Sequence, residues 1–193
     1  MSGPGLDVEA LPLAGLLLVK PRVFRDARGF FVETYREPAY RAAGIDAAFV
    51  QDNHSRSSRG TLRGMHFQRT PGQAKLVRVV SGSIFDVAVD IRPGSPTFGQ
   101  WHGVTLDAES HHQLYVPIGF AHGFCVTSEW ADVAYKVSSL YDGATESGFH
   151  YADPAVGIRW PDVGPDGVTV SARDRDAEPL ASLRASGGLG VAS

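Results

Sequence analysis

Apolar and polar residues alternate along much of this chain with the two-residue period of a β-strand. Within residues 84–91, the apolar side chains at odd positions share one face, while Asp86 and Asp90 lie on the other. A Ser-Gly-Ser turn at 81–83 separates this run from another apolar run at 75–80, which predicts a hairpin. The same pattern predicts further strands at 30–35, 101–106, 113–116, 123–127 and 133–138.

Helical patterns are scarce, and glycine or proline separates many of the predicted strands. We expect short helices only at 37–43 and 180–185, so the pattern favours an all-β sandwich or barrel. The apolar run 11–19 follows acidic residues where a signal peptide needs positive charge, and we interpret it as a buried first strand. We predict a single domain over 1–185 and a flexible, glycine-rich tail over 186–193.

Composition narrows the possible partners. The chain has 193 residues, of which 43% are hydrophobic and 20% charged, as is usual for a globular domain. A net charge of −3 argues against nucleic acid as a partner, and no apolar run is long enough to span a membrane. Cys125 is the only cysteine, which excludes an internal disulfide and fits a reducing cytoplasm.

The segment from 60 to 75 carries the strongest chemical signal. It brings Arg63, His66 and Lys75 into one short strand-turn-strand stretch that is rich in glycine. Strand alternation sends Arg63 and His66 to opposite faces unless Gly64 introduces a β-bulge. With such a bulge, the three side chains are suited to an anionic substrate that contains a carbonyl group.

A second segment, 115–124, contains the pattern Pro-x-Gly-x-x-His that ends at His122. It resembles the second motif of cupins, which are small jelly-roll barrels that often bind a metal. Where those cupins have His-x-His, this chain has His66-Phe67-Gln68, and glutamine is a poor ligand for transition metals. We therefore predict a cupin-type jelly-roll β-barrel that holds no metal.

From about residue 16 to 180 the chain resembles the dTDP-4-dehydrorhamnose 3,5-epimerase family. No single motif is decisive, but many occur in the family's order. They are DARGFFVE (26–33), QDNHS (51–55), LRGMH (62–66), QAK (73–75), VAVDIR (87–92), SPTFG (95–99), GFAHGF (119–124), IRWP (158–161) and SARD (171–174).

The resemblance implies a reaction and four catalytic residues. The substrate would be dTDP-4-dehydro-6-deoxy-D-glucose, converted to dTDP-4-dehydro-L-rhamnose by proton removal and return at C3 and C5 through an enolate. His66 matches the family's base, Asp174 its carboxylate partner, Tyr135 the acid and Lys75 the charge beside the ketone oxygen. Asp176 is a rival for the partner of His66, although the Ser-x-basic-Asp frame favours Asp174.

The resemblance also implies how the nucleotide is bound. Tyr141 matches the residue that stacks on thymine, and the other matching substrate contacts are Arg28, Glu33, Gln51, Asn53, Arg63, His122, Glu146 and Arg173. Paired arginines suit a diphosphate because their donors bind its oxygens two at a time. The family works without a cofactor and as a homodimer, so we expect both here.

Several alternatives stay open at this point. Taken singly, His66 and His122 also fit structural histidines, and Lys75 fits a charge at a strand edge. Within the same fold, the enzyme could epimerise C3 only or act as a keto-isomerase. A metal-dependent cupin and a non-catalytic binder of sugar nucleotides are further rivals.

Overall fold

A computed structural model of the protein describes residues 6–190. Within this range the chain forms thirteen strands and three short helices. The strands are β1 (Leu6–Ala10), β2 (Leu17–Pro21), β3 (Val23–Asp26), β4 (Gly29–Val32), β5 (Gln51–Ser58), β6 (Leu62–Gln68), β7 (Lys75–Ser81), β8 (Ser83–Asp90), β9 (Trp101–Asp107), β10 (Gln113–Val116), β11 (Phe120–Val126), β12 (Trp130–Val137) and β13 (Glu146–Gly148). The helices are α1 (Glu37–Ala42), α2 (Ala172–Arg175) and α3 (Leu180–Ala185).

The strands build two large antiparallel sheets that face each other. One has six strands in the order β1-β2-β10-β7-β12-β5, and the other has five in the order β13-β6-β11-β8-β9. Strands β3 and β4 form a separate hairpin. The predicted all-β jelly-roll barrel with a few short helices is therefore confirmed, and none of the described helices is long and apolar enough to cross a bilayer.

The space between the sheets changes from apolar to polar along the strands. On β7, Val79 and Val77 belong to the buried core, whereas Lys75 on the same face lines a cavity. On β12, Val133 is fully buried and Tyr135, two residues further, reaches the cavity. Each buried valine stabilises the fold by about 1.5–3 kcal/mol. One end of the barrel thus holds the fold together, and the other end is free to carry chemistry.

The carboxyl-terminal part of the chain covers the outer face of the five-stranded sheet. Phe149 and Leu180 are buried there against Met65 and Val87. Nearby, the backbone N–H of Leu62 donates to the carbonyl of Thr169 at 2.9 Å. These contacts bring helix α2 against strand β6.

The prediction of one strand over 11–19 was wrong. Strand β1 ends at Ala10, the chain turns through 11–16, and β2 begins at Leu17. The backbone N–H of Leu11 donates to the carbonyl of Leu16 across this turn at 3.0 Å. Leu13 and Leu16 are nevertheless buried in the core, so the apolar run marks a buried loop and not a continuous strand.

Helix α3 agrees with the predicted helix at 180–185, but the chain remains packed beyond it. Leu189 is buried against the five-stranded sheet, and the Thr70 hydroxyl donates to the carbonyl of Gly190 at 2.7 Å. Leu189 and Gly190 thus contact the rest of the fold, within the segment where a flexible tail is predicted. Residues 191–193 of the predicted tail lie outside the described residues.

Candidate active site

The polar end of the barrel opens into a cavity of about 530 Å³ between the two sheets. All four residues expected to be catalytic line it: His66, Lys75, Tyr135 and Asp174. Three of the expected substrate contacts line it as well, namely Arg63, His122 and Arg173. Residues separated by more than a hundred positions in the chain therefore meet in one cavity.

His66 and Asp174 form a hydrogen-bonded pair at the wall of this cavity. The His66 Nε2 lies 2.7 Å from Asp174 Oδ1, and the backbone N–H of Gly64 donates to Asp174 Oδ2 at 3.3 Å. Burial raises the pKa of Asp174, but the bond and charge of His66 and the Gly64 N–H lower it more, so the net shift is downward. The carboxylate is therefore ionised and holds the imidazole by one nitrogen.

Helix α2 explains why Asp174 reaches His66. Ser171 caps the helix, because its hydroxyl oxygen accepts the backbone N–H of Asp174 at 3.1 Å. Asp174 is 5% exposed, whereas the rival Asp176 stands exposed at the end of the helix. Of the two, only Asp174 is within hydrogen-bonding distance of His66.

The predicted irregularity at Gly64 is present. Strand β6 pairs with β11 through His66–His122 and then through Arg63–Phe124, so β6 advances three positions while β11 advances two. Gly64 has a φ of +135°, and a Cβ there would lie 2.6 Å from the Cα of Gly123. The extra residue turns both Arg63 and His66 into the cavity, which regular alternation forbids.

Lys75 and Tyr135 belong to the six-stranded sheet and face His66 from the opposite wall. Burial lowers the pKa of Lys75 to about 8, although the charges of Glu146 and Asp86 oppose this effect. Burial also raises the pKa of the Tyr135 phenol, while Arg63 acts in the other direction. The phenol thus keeps its proton, and the lysine can change its charge near neutral pH.

A second imidazole–carboxylate pair lies beside the first. His122 Nε2 is 2.5 Å from Asp86 Oδ1, and Asp86 is completely buried. The sequence placed Asp86 on the polar face of its strand, but gave no sign of its partner, which is 36 residues away. Asp86 is a residue of this site that sequence reasoning missed.

The remaining contacts cluster at the rim of the cavity. Glu146 Oε2 accepts the Tyr141 hydroxyl at 3.1 Å and also pairs with Arg173. Gln51 Nε2 donates to Asn53 Oδ1 at 2.8 Å, and its Oε1 accepts the backbone N–H of Tyr141 at 3.0 Å. A smaller recess of about 110 Å³ connects this rim to His66, Lys75 and Tyr135.

Ser57 is a second residue that the sequence did not single out. Its hydroxyl oxygen accepts the Arg63 Nε–H at 3.1 Å, and the serine is buried. With Nε engaged, the two terminal nitrogens of Arg63 are left to bind a ligand. The signal was weak, because Ser57 lies in a polar stretch that does not resemble a strand.

Arg28 and Glu33 are not brought to the cavity of their own chain. Arg28 lies at the tip of the β3–β4 hairpin, with its side chain 89% exposed and bound to Asp26 at 2.6 Å. Glu33 accepts the Arg36 Nε–H at 2.9 Å. The hairpin also exposes aromatic side chains, those of Phe24, Phe30 and Phe31.

The residues described here offer no cluster of three or more His, Cys, Asp or Glu side chains that could hold a metal ion. Gln68, which stands where many cupins have a ligand, is buried and already engaged. It donates to the carbonyl of Leu140 at 3.2 Å and accepts from Gln73 Nε2 at 3.2 Å. Its amide therefore ties strand β6 to the chain after β12.

Comparison with known proteins gives a consistent result. The family model for dTDP-4-dehydrorhamnose 3,5-epimerase matches residues 10–182. The chain is 52% identical over 156 residues to the enzyme of that name from Neisseria gonorrhoeae, a match that covers 81% of this chain and 48% of the relative. It thus spans about half the length of that relative. A dTDP-4-dehydrorhamnose 3-epimerase from Streptomyces niveus is 42% identical over 94% of this chain and 87% of its own length.

Among solved structures, the crystal structure of dTDP-6-deoxy-D-glucose-3,5-epimerase from Legionella pneumophila in complex with dTDP-4-keto-L-rhamnose superposes with a TM-score of 0.90. Sequence identity is 45%, and the match covers 94% of this chain and 96% of that one. Sequence and fold therefore agree over nearly the whole described chain. On this evidence the protein belongs to the dTDP-4-dehydrorhamnose 3,5-epimerase family.

Proposed function

We propose that this protein is a nucleotide-sugar epimerase that converts dTDP-4-dehydro-6-deoxy-D-glucose to dTDP-4-dehydro-L-rhamnose. The observation that carries the proposal is the opposition of two groups across one cavity. His66 is held by Asp174 on one wall, and the Tyr135 phenol stands on the other. Epimerisation needs a base on one face of the sugar and a proton donor on the other.

The C4 ketone of this substrate acidifies the protons at C3 and C5. His66 removes a proton through Nδ1, because Asp174 engages its Nε2. The carboxylate stabilises the imidazolium that forms, and Lys75 stabilises the negative charge that develops on the ketone oxygen. Tyr135 then returns a proton to the opposite face, and the same steps serve both carbons. The reaction changes no oxidation state and requires no cofactor.

The nucleotide lies at the rim of the cavity. Arg63 and Arg173 bind the diphosphate, and Tyr141 stacks on the thymine ring. His122 and Glu146 contact the substrate together with Gln51 and Asn53. The ligand in the structure of the Legionella neighbour, dTDP-4-keto-L-rhamnose, supports this class of substrate.

A second copy of the chain completes the site. Arg28 and Glu33 would reach the nucleotide from the β3–β4 hairpin of the partner, which accounts for their distance from their own cavity. The exposed aromatic residues of the hairpin and the position of β1 at the edge of the six-stranded sheet support a homodimer. We infer the cytoplasm as the compartment, because the lone Cys125 is a buried free thiol.

The test of the reaction is hydrogen exchange followed by NMR at each carbon in deuterated water. We expect deuterium at both C3 and C5, and no exchange with His66→Ala. The matched control is His54→Ala, since His54 also pairs with a carboxylate, Asp132, but on the outer face of the barrel. Exchange that persists in His66→Ala removes His66 from the base role, and dTDP binding without any exchange indicates a non-catalytic binder.

One alternative has a specific observation in its favour, which is the likeness to the Streptomyces niveus 3-epimerase. The same base and acid serve a single centre equally well. Deuterium at C3 alone identifies this version of the reaction. A product whose ketone has moved along the ring identifies a keto-isomerase.

Mixing two inactive variants tests the shared site. Arg28→Ala lacks the donated arginine, and His66→Ala lacks the base. In a mixed dimer, one site receives both intact residues, so an equal mixture should recover about one quarter of wild-type activity. No recovery after subunit exchange would show that Arg28 does not act across a dimer.

A further inference from the structure

Asp86 is a buried charge that the proposed reaction does not use directly. Its carboxylate is completely buried on the inward face of β8. Oδ1 lies 2.5 Å from His122 Nε2, and Oδ2 has no hydrogen-bond partner among residues 6–190. A buried carboxylate is costly unless nearby positive charge balances it. Asp86 therefore places an incompletely paired carboxylate directly behind His122, a residue that lines the cavity.

Lys75 lines the same cavity as His122, the residue to which Asp86 is hydrogen-bonded. Burial lowers the pKa of Lys75 to about 8, and the negative charges of Glu146 and Asp86 raise this pKa and so oppose the effect of burial. Glu146 already accepts from Tyr141 and pairs with Arg173. Within residues 6–190, the Asp86 carboxylate has one hydrogen-bond partner, His122, and its second oxygen has none.

The other ionisable groups around Lys75 do not replace Asp86. The groups that line the cavity and its recess with Lys75 are Arg63 and His66 from β6, His122 from β11, Tyr135 from β12, Tyr141 from the chain after β12, Glu146 from β13, and Arg173 and Asp174 from α2. Asp174 is engaged by His66, and the arginine charges disfavour a protonated lysine. Removing Asp86 therefore leaves Lys75 among more positive than negative charge.

We propose that Asp86 is a positioning residue that fixes His122 and supplies the negative charge that keeps Lys75 protonated in the cavity. The inference rests on the proposed function for the role of Lys75, which must carry a proton while the ketone oxygen gains charge. Asp86 itself does not line the cavity or its recess. It acts through its two neighbours.

The test is the pH dependence of kcat/KM for Asp86→Asn, a variant of nearly the same shape. Loss of the negative charge lowers the pKa of Lys75. The fall of kcat/KM at high pH, the alkaline limb of the profile, should therefore move to lower pH by about one unit. Activity relative to wild type should then be about sixfold lower at pH 8.5 than at pH 6.5, for a wild-type pKa of about 8. Asp86→Glu, which keeps the charge, should restore the position of the limb.

Asp132→Asn is the matched control, because Asp132 pairs with His54 at 3.0 Å and with Arg56 on the outer face of the barrel. Its alkaline limb should coincide with that of wild type. A loss of activity in Asp86→Asn that is equal at every pH would overturn the proposal, since a merely structural role lowers all rates alike.

A second measurement does not depend on turnover. The ¹³Cε resonance of Lys75 in the substrate-free protein should titrate near pH 8 and shift to lower pH in Asp86→Asn. If that variant does not fold, His122→Asn retains the carboxylate, and its Lys75 titration must not move to lower pH. An unchanged Lys75 titration in Asp86→Asn contradicts the inference, whereas absence of exchange in the wild-type protein contradicts only the proposed reaction.

Discussion

The two walls of the cavity hold their ionisable groups by different means. On the five-stranded sheet, His66 and His122 each have a carboxylate within 2.7 Å of Nε2. On the six-stranded sheet, burial has the largest influence on the pKa values of Lys75 and Tyr135. The five-stranded sheet fixes its histidines by hydrogen bonds to carboxylates, and the six-stranded sheet shifts the pKa values of its ionisable groups by burial.

This difference corresponds to the two halves of a proton transfer. A base that will become a cation benefits from a fixed carboxylate, which also sets the ring nitrogen that it presents. A donor must keep its proton until it is used, and burial of the Tyr135 phenol favours the protonated form. The comparison predicts that variants of the two walls fail in different ways.

The largest effect is expected on the partnered wall. Asp174→Asn should lower both C–H exchange and turnover by about 10²- to 10³-fold, because the imidazole loses the charge that stabilises its protonated form. NMR of samples quenched at successive times measures both the C–H exchange and the turnover. Asp176→Asn, at the exposed end of the same helix, is the control and should behave as wild type. Similar losses of activity in Asp174→Asn and Asp176→Asn would show that the bond between Asp174 and His66 has no special role.

A smaller and different effect is expected on the opposite wall. Tyr135→Phe should lower net epimerisation by about 10²-fold, because no donor remains to return the proton to the other face. Exchange at the starting face should persist, since His66 and Asp174 are intact. If exchange falls in step with epimerisation, Tyr135 takes part in proton removal and the walls do not divide the work.

The smallest effect concerns the orientation of the Arg63 guanidinium group. Ser57→Ala removes the acceptor for its Nε–H and should raise KM about two- to tenfold with little change in kcat. Ser58→Ala is the control, because Ser58 is the next residue on β5 and is exposed on the outer face. A fall in kcat without a change in KM would mean that Arg63 contributes to the chemical step instead.

Apolar alternation predicted most strands, but it failed where the protein carries its chemistry. Strands β7, β8 and β10 begin or end within about one residue of the predicted bounds, since most of their buried residues are apolar. Strand β5 was not predicted, because Gln51, Asn53 and Ser55 occupy its inward face. The polar lining of the cavity hides the strand that supplies it.

The candidate site also has features that the sequence pattern predicts and features that it does not. The extra residue at Gly64 could be predicted because alternation alone cannot send Arg63 and His66 to one face. The roles of Arg28, Glu33 and Asp174 came from family resemblance, and only the fold brings Asp174 to His66. Asp86 was visible as a polar residue in an apolar strand, but its pairing with His122 is a long-range contact that no local pattern encodes.

The close approach of Gly64 to Gly123 limits how this scaffold can be redesigned. A side chain at position 64 would meet backbone atoms of the neighbouring strand within 3.0 Å, so neither strand can yield without moving His66 or His122. Mutant libraries that seek new sugar substrates should leave both positions unchanged. Diversity belongs on β5, an edge strand of the other sheet that pairs with neither β6 nor β11.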